Sequence, residues 1–380
     1  RTDPRVVEAM LPSFTEIYGN AASISHRFGW DASEAVENVR ARVAESIGAD
    51  AKEIVFTSGA TESNNLALKG ALPALKRRGD HLITAASEHK SVLDVMKRLS
   101  REGWNVTFVP CDETGLVTVE AIESAMTAST VLVSVMTANN EVGTLNPVGE
   151  IGRLCHDRKI VFHTDATQAL GKVDLDVQAD GIDLLSLSGH KIYGPKGVGA
   201  LYVRRRDPQV RLQPLIDGGG HERGLRSGTL PVPLIVGLGK AVDLMFFEKP
   251  DEPARIRSLR DRLQAGIMGR AADVHLNGHP TRRLDGNLNL GFACVDGESL
   301  MTAMRDVAVS SGAACTSVDP EPSHVLRAMG RDDETARASL RFGVGRFNTE
   351  EEIDYAIDVV TQAVARLRKH SAAWSATTDP

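Results

Sequence analysis

The sequence predicts an α/β fold: a mostly parallel sheet between helices in a large domain, followed by a smaller C-terminal α+β domain. Three observations predict it. Short, nearly continuously apolar runs recur along the chain, and runs without polar alternation are what strands covered on both faces look like. Helical patterns lie between many of these runs, and strand–helix alternation on this scale builds a parallel sheet from crossover units. A charged pentad with two prolines, Lys249-Pro250-Asp251-Glu252-Pro253, then reads as a linker.

Taken in order, strands are expected at residues 54–57, 81–85, 106–109, 131–136, 160–163, 184–188 and 198–203. The clearest helix covers 34–47, with Val36, Val39, Val43 and Ile47 on one face at i, i+3, i+7 and i+11. Asp31 and Glu34 read as its capping box and Gly48 as its stop. A helix over 233–247 precedes the linker. After it come a helix over 254–268, strands near 274–276 and 288–292, a helix from Glu298, a strand near 340–344 and a long helix over 349–368. The expected division is a large domain, 1–248, and a small domain, 249–380, with the cleft between them as the expected place for a site.

Composition excludes several function classes. Lys and Arg number 44 against 50 Asp and Glu, a net charge of −6, so no basic excess serves a nucleic-acid partner. Aromatic residues are 4% of the 380, too few for a base-stacking surface. The longest uncharged run, 124–140, is broken by Ser, Thr and Asn, so no membrane span is expected. The charged opening Arg1-Thr2-Asp3-Pro4-Arg5 does not read as a signal peptide. Cys111, Cys155, Cys294 and Cys315 form no Cys-x-x-Cys pair. No metal site is therefore expected, and scattered thiols fit a reducing cytoplasm.

Several residues have the type and place to carry chemistry. Lys191 closes Ser188-Gly189-His190-Lys191 at a strand end. A partly desolvated ammonium there suits imine formation, against the plainer reading of a surface lysine in a glycine-rich turn. Asp165, in Asp165-Ala166-Thr167-Gln168, ends another strand, where a carboxylate either keeps a pyridine nitrogen protonated or caps a helix. Thr57-Ser58-Gly59-Ala60-Thr61-Glu62 joins a strand to a helix through small residues, which is either a phosphate cradle or an ordinary capped start. It is neither a Walker loop nor Gly-x-Gly-x-x-Gly. His89 and Asn140 follow strands in the same way. The first suits stacking on a flat ring and the second a hydrogen bond to a ring oxygen, although loop residues of these types more often satisfy backbone. Cys315 lies among small polar residues, Ser310 to Ser317, where an exposed, mobile loop and an accessible nucleophilic thiol are expected. Cys155 and Cys294 read as core fillers. Arg341, on a strand between apolar neighbours, needs either a substrate carboxylate or a structural ion-pair partner.

The segments that carry a resemblance run through most of the chain. They are Ser58-Gly59-Ala60-Thr61-Glu62-Ser63-Asn64-Asn65, Glu88-His89-Lys90, Asn139-Asn140-Glu141, Asp165-Ala166-Thr167-Gln168 and Ser188-Gly189-His190-Lys191-Ile192-Tyr193-Gly194-Pro195-Lys196-Gly197. They continue with Gly218-Gly219-Gly220-His221-Glu222-Arg223-Gly224, Arg226-Ser227-Gly228-Thr229, Ser311-Gly312-Ala313-Ala314-Cys315-Thr316-Ser317 and Glu321-Pro322-Ser323-His324. In this order they resemble the NifS/IscS-type cysteine desulfurases, fold-type I pyridoxal 5'-phosphate (PLP) enzymes of the class-V aminotransferase family.

The resemblance implies roles. Lys191 binds PLP as an imine and, with His89, serves as acid and base. Asp165 pairs with the pyridine nitrogen, His89 stacks on the ring, and Asn140 and Gln168 contact its hydroxyl. Ala60, Thr61, Ser188 and His190 hold the phosphate. Thr229 reaches the phosphate of a neighbouring subunit, which implies a homodimer. Arg341, with Asn140, takes the substrate carboxylate. Cys315 accepts sulfur from L-cysteine as a persulfide, L-alanine is released, and the sulfur passes to an acceptor or iron–sulfur scaffold protein. The alternative within the fold is a selenocysteine lyase or an aminotransferase, and a non-enzymatic homologue is a third reading. Relatives open with a strand ending Asn-Ala-Thr-Thr, whereas this sequence opens after that point. Its polar end, 373–380, has no recognisable scaffold-docking extension and is expected to be disordered.

Overall fold

Seven short strands make the first sheet: β1 (Ile54–Thr57), β2 (His81–Ala85), β3 (Asn105–Val109), β4 (Thr130–Ser134), β5 (Val161–Asp165), β6 (Leu184–Ser188) and β7 (Gly199–Val203). The computed structural model describes residues 1–247, 251–311, 321–371 and 374. Cys315 and most of the 373–380 tail lie outside the described residues. The sheet order is β1-β7-β6-β5-β4-β2-β3. β2 pairs parallel with β3 and β4, and the parallel pairing continues through β5 to β6. β7 runs antiparallel to both β6 and β1. Every residue of β1, β2, β4, β5, β6 and β7 is buried, which is why their sequences lack alternation.

β8 (Val274–Asn277), β9 (Asn287–Phe292), β10 (Ser310–Ser311) and β11 (Ser339–Gly343) form a second, antiparallel sheet in the order β10-β11-β9-β8. Val274, Leu288, Leu290, Phe292, Leu340 and Phe342 pack with Leu259, Leu263, Ile353, Ile357 and Val360 of helices Glu252–Arg270 and Glu350–Arg368. Two compact units result. One contains Arg1–Val109, Thr118–Ala138 and Asn146–Pro250; the other contains Pro110–Val117, Asn139–Leu145 and Asp251–Pro380.

Some local expectations change. The helix expected at 34–47 spans Arg27–Glu45, capped by His26, whose side chain accepts from Gly29 N. Asp31 therefore lies inside the helix, pairs with Arg27, and makes no capping box. The stretch before residue 34 is not legible as helix in the sequence because Phe28 and Trp30 are exposed and break the apolar periodicity. Of the pentad read as a linker, Lys249 and Pro250 lie outside the described residues, whereas Glu252 and Pro253 start helix Glu252–Arg270, where the missing N–H of a first-turn proline costs nothing. Cys155 is buried, and burial pushes its thiol up. Cys294 is only half-buried, at a positive φ of 58°, and is not a core filler. Among the described residues, no helix is long and apolar enough to cross a membrane.

One device fixes the sheet edge that leads to the candidate site. β1 is an edge strand, so its outer backbone groups need partners. A buried ion pair supplies them. Arg40 makes two hydrogen bonds of 2.7 Å to Glu222. Arg40 Nη1 also donates to Ile54 O at 2.9 Å, and Phe56 N donates to Glu222 Oε2 at 2.7 Å.

Candidate active site

Three chain segments leave strand ends of the first sheet and carry most of the candidate residues. After β1 the chain passes Ser58 and Gly59 into helix Ala60–Leu75. Gly59 has φ 145° and caps the helix without a side-chain hydrogen bond. Ser58 N donates to Glu62 Oε2 at 2.8 Å, and Arg226 Nε donates to Glu62 Oε1 at 2.9 Å. Burial opposes ionisation of Glu62, but Arg226 and Ser58 together hold its carboxyl below the usual range. The helix start at Ala60 and Thr61 thus carries N–H groups with the helix dipole behind them and no side-chain cap, a seat for an anion.

Ser188 ends β6, and the turn Gly189–Lys191 follows. A Cβ on Gly59 would lie 3.6 Å from Ser188 Oγ, so this serine faces the same cradle. Ser188 Oγ pairs with His190 Nδ1 at 2.8 Å. Burial, then the charges of Lys191 and Lys196, push His190 down. Lys191 is half-buried. Lys172 feels its charge: burial, then Lys191, push the half-buried Lys172 down to about 8.

Asp165 ends β5, parallel to β6, and is 4% exposed. Its Oδ1 accepts from Thr167 N at 2.9 Å and its Oδ2 from Asn64 Nδ2 at 2.8 Å. Asn64 Nδ2 also donates to Ser91 Oγ at 2.8 Å, and Ser91 Oγ pairs with His89 Nδ1 at 2.8 Å. His89 caps helix Lys90–Arg101 by accepting from Ser91 N at 3.1 Å. A chain of hydrogen bonds therefore joins His89 to Asp165. Because His89 Nδ1 accepts a backbone N–H, its proton in the neutral ring resides on Nε2.

Two further buried groups surround Asp165. Burial, then the negative charge of Asp165, push Glu88 well above the usual carboxylate range, although Met136 N donates to it. Of the two neighbouring carboxyls, Asp165 is the one with donors aimed at both oxygens. His163 pairs with Ser134 Oγ at 2.8 Å and Ser186 Oγ at 3.1 Å. Burial pushes it down to about 4, with Asp165 opposing.

Gln168 is half-buried in the turn after Asp165, and Thr229 is exposed just after Gly228. Asn140 and Arg341 belong to the second unit. They are in direct contact: Arg341 Nη1 donates to Asn140 O at 2.7 Å. Ser310 of β10 pairs in register with Arg341 of β11. The structure thus joins His89 with Asp165, Ser188 with His190, and Asn140 with Arg341. Sequence reasoning missed Asn64, Ser91, His163 and Lys172. Asn64 on an otherwise buried helix face and His163 in an apolar strand were the available signals.

A model of the aminotransferase class-V family matches residues 1–356. A curated protein described as cysteine desulfurase IscS, from Rickettsia akari (strain Hartford), is 54% identical over 372 residues, covering 98% of this chain and 90% of its own. A solved NifS-like protein superposes with a TM-score of 0.89 at 37% identity, covering 97% of each chain. A structure titled "SspA in complex with cysteine" gives a TM-score of 0.81 at 38% identity, covering 92% of this chain and 97% of the other.

Proposed function

The chain belongs to the aminotransferase class-V family, and from that premise we propose that it is a PLP-dependent cysteine desulfurase, converting L-cysteine to L-alanine and taking the sulfur on Cys315. The observation that carries this reading is the meeting of three strand ends of one sheet: Lys191 after β6, Asp165 at the end of β5, and the uncapped helix start after β1. An amine, a carboxylate and an anion seat match the aldehyde, ring nitrogen and phosphate of PLP.

The residues fit that cofactor in detail. Gly59 leaves the cradle open where any side chain would enter it with a strained backbone. Each Asp165 oxygen has one donor, and a carboxylate retains acceptor capacity for a ring N–H beyond that. Thr167 Oγ1 is buried beside Asp165 and has no partner among the described residues.

PLP, when bound, supplies the electron sink that eases loss of the substrate's α-proton. The chain's own groups do the rest. Ala60, Thr61, Ser188 and His190 hold the phosphate, and Asn140 and Gln168 reach the ring hydroxyl. Lys191 Nζ would hold the aldehyde carbon of the cofactor and would move the proton at the substrate α-carbon. The His89 ring, held at Nδ1 by Ser91, would stack on the cofactor ring and pass a proton. Arg341 takes the substrate carboxylate. Cys315 thiolate attacks the substrate sulfur, the new S–S bond forms as the C–S bond breaks, and the carbon that keeps the electron pair is protonated to give alanine.

Thr229, exposed on a segment tied to Glu62 through Arg226, reaches the phosphate of a second subunit in a homodimer. The enzyme works in the cytoplasm and hands its sulfur to an acceptor or iron–sulfur scaffold protein. The test is alanine formed from L-cysteine by PLP-loaded protein with a reductant, wild type beside Cys315→Ala. Alanine from the wild type, with loss in a variant that keeps its visible PLP absorbance, supports the reading. Full desulfuration by the variant removes Cys315 from its role.

A further inference from the structure

The second sheet has a buried polar face. Residues of β9 alternate Asn287-Leu288-Asn289-Leu290-Gly291-Phe292. The leucines and Phe292 enter the apolar core, while Asn287 and Asn289 point to the other side. Asn289 is 1% exposed and Asn277 1%. In register, Asn277 of β8 stands opposite Asn289 of β9, which stands opposite Arg341 of β11, which stands opposite Ser310 of β10. One polar row crosses all four strands. Buried carboxamides are kept only where their hydrogen bonds are made, so the partners of this row show what it holds.

They hold the Asn140 loop. Asn277 Nδ2 donates to Asn289 Oδ1 at 2.9 Å and to Ser339 Oγ at 3.0 Å. With its oxygen thus occupied, Asn289 turns its Nδ2 to Glu141 O, 3.2 Å away. Asn287 Nδ2 reaches the same carbonyl at 3.4 Å. Asn139 Oδ1 accepts from Glu141 N at 2.8 Å and Val142 N at 3.1 Å. Ser323 Oγ donates to the Glu141 carboxylate. Both peptide groups that flank Glu141 are therefore fixed, and the first of them presents Asn140 O to Arg341 Nη1. That contact uses one of the five donors of a rigid guanidinium fork, so the pose of the loop sets the pose of the remaining donors.

We infer that Asn289, oriented by Asn277, is a positioning residue for substrate-carboxylate recognition: it anchors the loop carrying Asn140, and that loop aims Arg341. The inference rests on the proposed role of Arg341 and deepens it. The experiment is binding of L-alanine to PLP-loaded protein by calorimetry, with kcat and KM for L-cysteine, PLP content and thermal unfolding measured alongside. Arg341→Ala is the reference: if it leaves L-alanine affinity unchanged, the carboxylate assignment itself fails. Given a loss there, Asn289→Ala is expected to weaken L-alanine by about tenfold, the value of a buried hydrogen bond left unmade. KM for L-cysteine should rise more than kcat falls, and PLP content should stay at the wild-type level. Asn277→Ala is expected to act in the same direction but less, because it works through Asn289. Asn289→Ser, smaller and still polar, serves if Asn289→Ala does not fold. Affinity within twofold of wild type in a folded Asn289 variant overturns the inference. So does a variant that loses melting temperature, PLP and kcat together with no selective rise in KM, since that is the mark of a purely structural residue.

Discussion

Replacing Asn64 by Ala tests whether Asp165 is tuned through its hydrogen bonds. Asn64 is fully buried, and its Nδ2 bridges Asp165 Oδ2 and Ser91 Oγ at 2.8 Å each. The opposite amide orientation would set a carbonyl against a carboxylate, so the donor role follows from the surroundings. A hydrogen bond to a charged acceptor is worth about 1.5–3 kcal/mol. Its removal leaves the Thr167 N–H donating to Asp165 and weakens the negative charge that pairs with a protonated ring nitrogen. At about 1.4 kcal/mol per tenfold, PLP affinity should fall by roughly tenfold to a hundredfold. The assay is a PLP titration of apoprotein followed by visible absorbance. Asn64→Asp should be worse, because it sets a second carboxylate beside Asp165. Ser91→Ala is the control: it frees His89 but leaves Asn64 on Asp165, so it should change PLP affinity much less than Asn64→Ala. A folded Asn64→Ala protein that binds PLP within twofold of wild type would refute the reasoning.

The buried Arg40–Glu222 pair should be costly to break from one side: Glu222→Ala strips Phe56 N and both terminal nitrogens of Arg40 of their carboxylate acceptor and should lower stability by about 3–5 kcal/mol in urea unfolding, while Glu222→Gln should cost less. Gly59→Ala meets space rather than a clash, with Ser188 Oγ 3.6 Å away, but imposes φ 145° on an alanine; strain of about 1–3 kcal/mol should move the backbone and weaken inorganic phosphate and PLP binding, read by competition titration. His163 has a depressed folded-state value of about 4 against an ordinary 6.5, so the unfolded chain binds its proton first as pH falls. Its contribution to stability is intact above pH 6.5 and declines between 6.5 and 4, by at most about 3 kcal/mol. Glu88 opposes this trend, because its raised value makes the folded state bind a proton earlier. Thermal melts of wild type and His163→Gln at pH 7 and pH 5 separate the two: the wild type should lose more on acidification than the variant.

Where a side chain's partners come from its own segment or from a recurrent pattern, the sequence displayed them. The strands at 54–57, 81–85 and 184–188 coincide with β1, β2 and β6 because two-sided burial leaves an unbroken apolar run. Lys191, Asp165 and the Ser58–Thr61 turn stood out because each follows such a run. Asn64 did not, because its role depends on Asp165 and Ser91, which lie 101 and 27 residues away, and no local periodicity records such a meeting. His26 capping Arg27–Glu45 was hidden for a different reason: the exposed Phe28 and Trp30 erase the apolar stripe where the helix begins.

β9 shows a deeper limit. Alternation such as Asn287-Leu288-Asn289-Leu290 ordinarily marks a strand with one face in water. Here Asn289 is as buried as the apolar residues beside it. Periodicity reports that two faces meet different surroundings; it does not report that one of them is solvent. What distinguishes the cases is the cost of the polar face. In water an asparagine row is neutral, and substitutions there should fall within about 0.5 kcal/mol. Buried, each carboxamide must find its partners, and losing one costs about 1–3 kcal/mol. A chain that keeps buried Asn277 and Asn289 in one row with the half-buried Arg341 accepts that exposure to loss in return for orientation. Leucines would have filled the same volume with no such demand, and they could not have held the Asn140 carbonyl loop in front of a guanidinium.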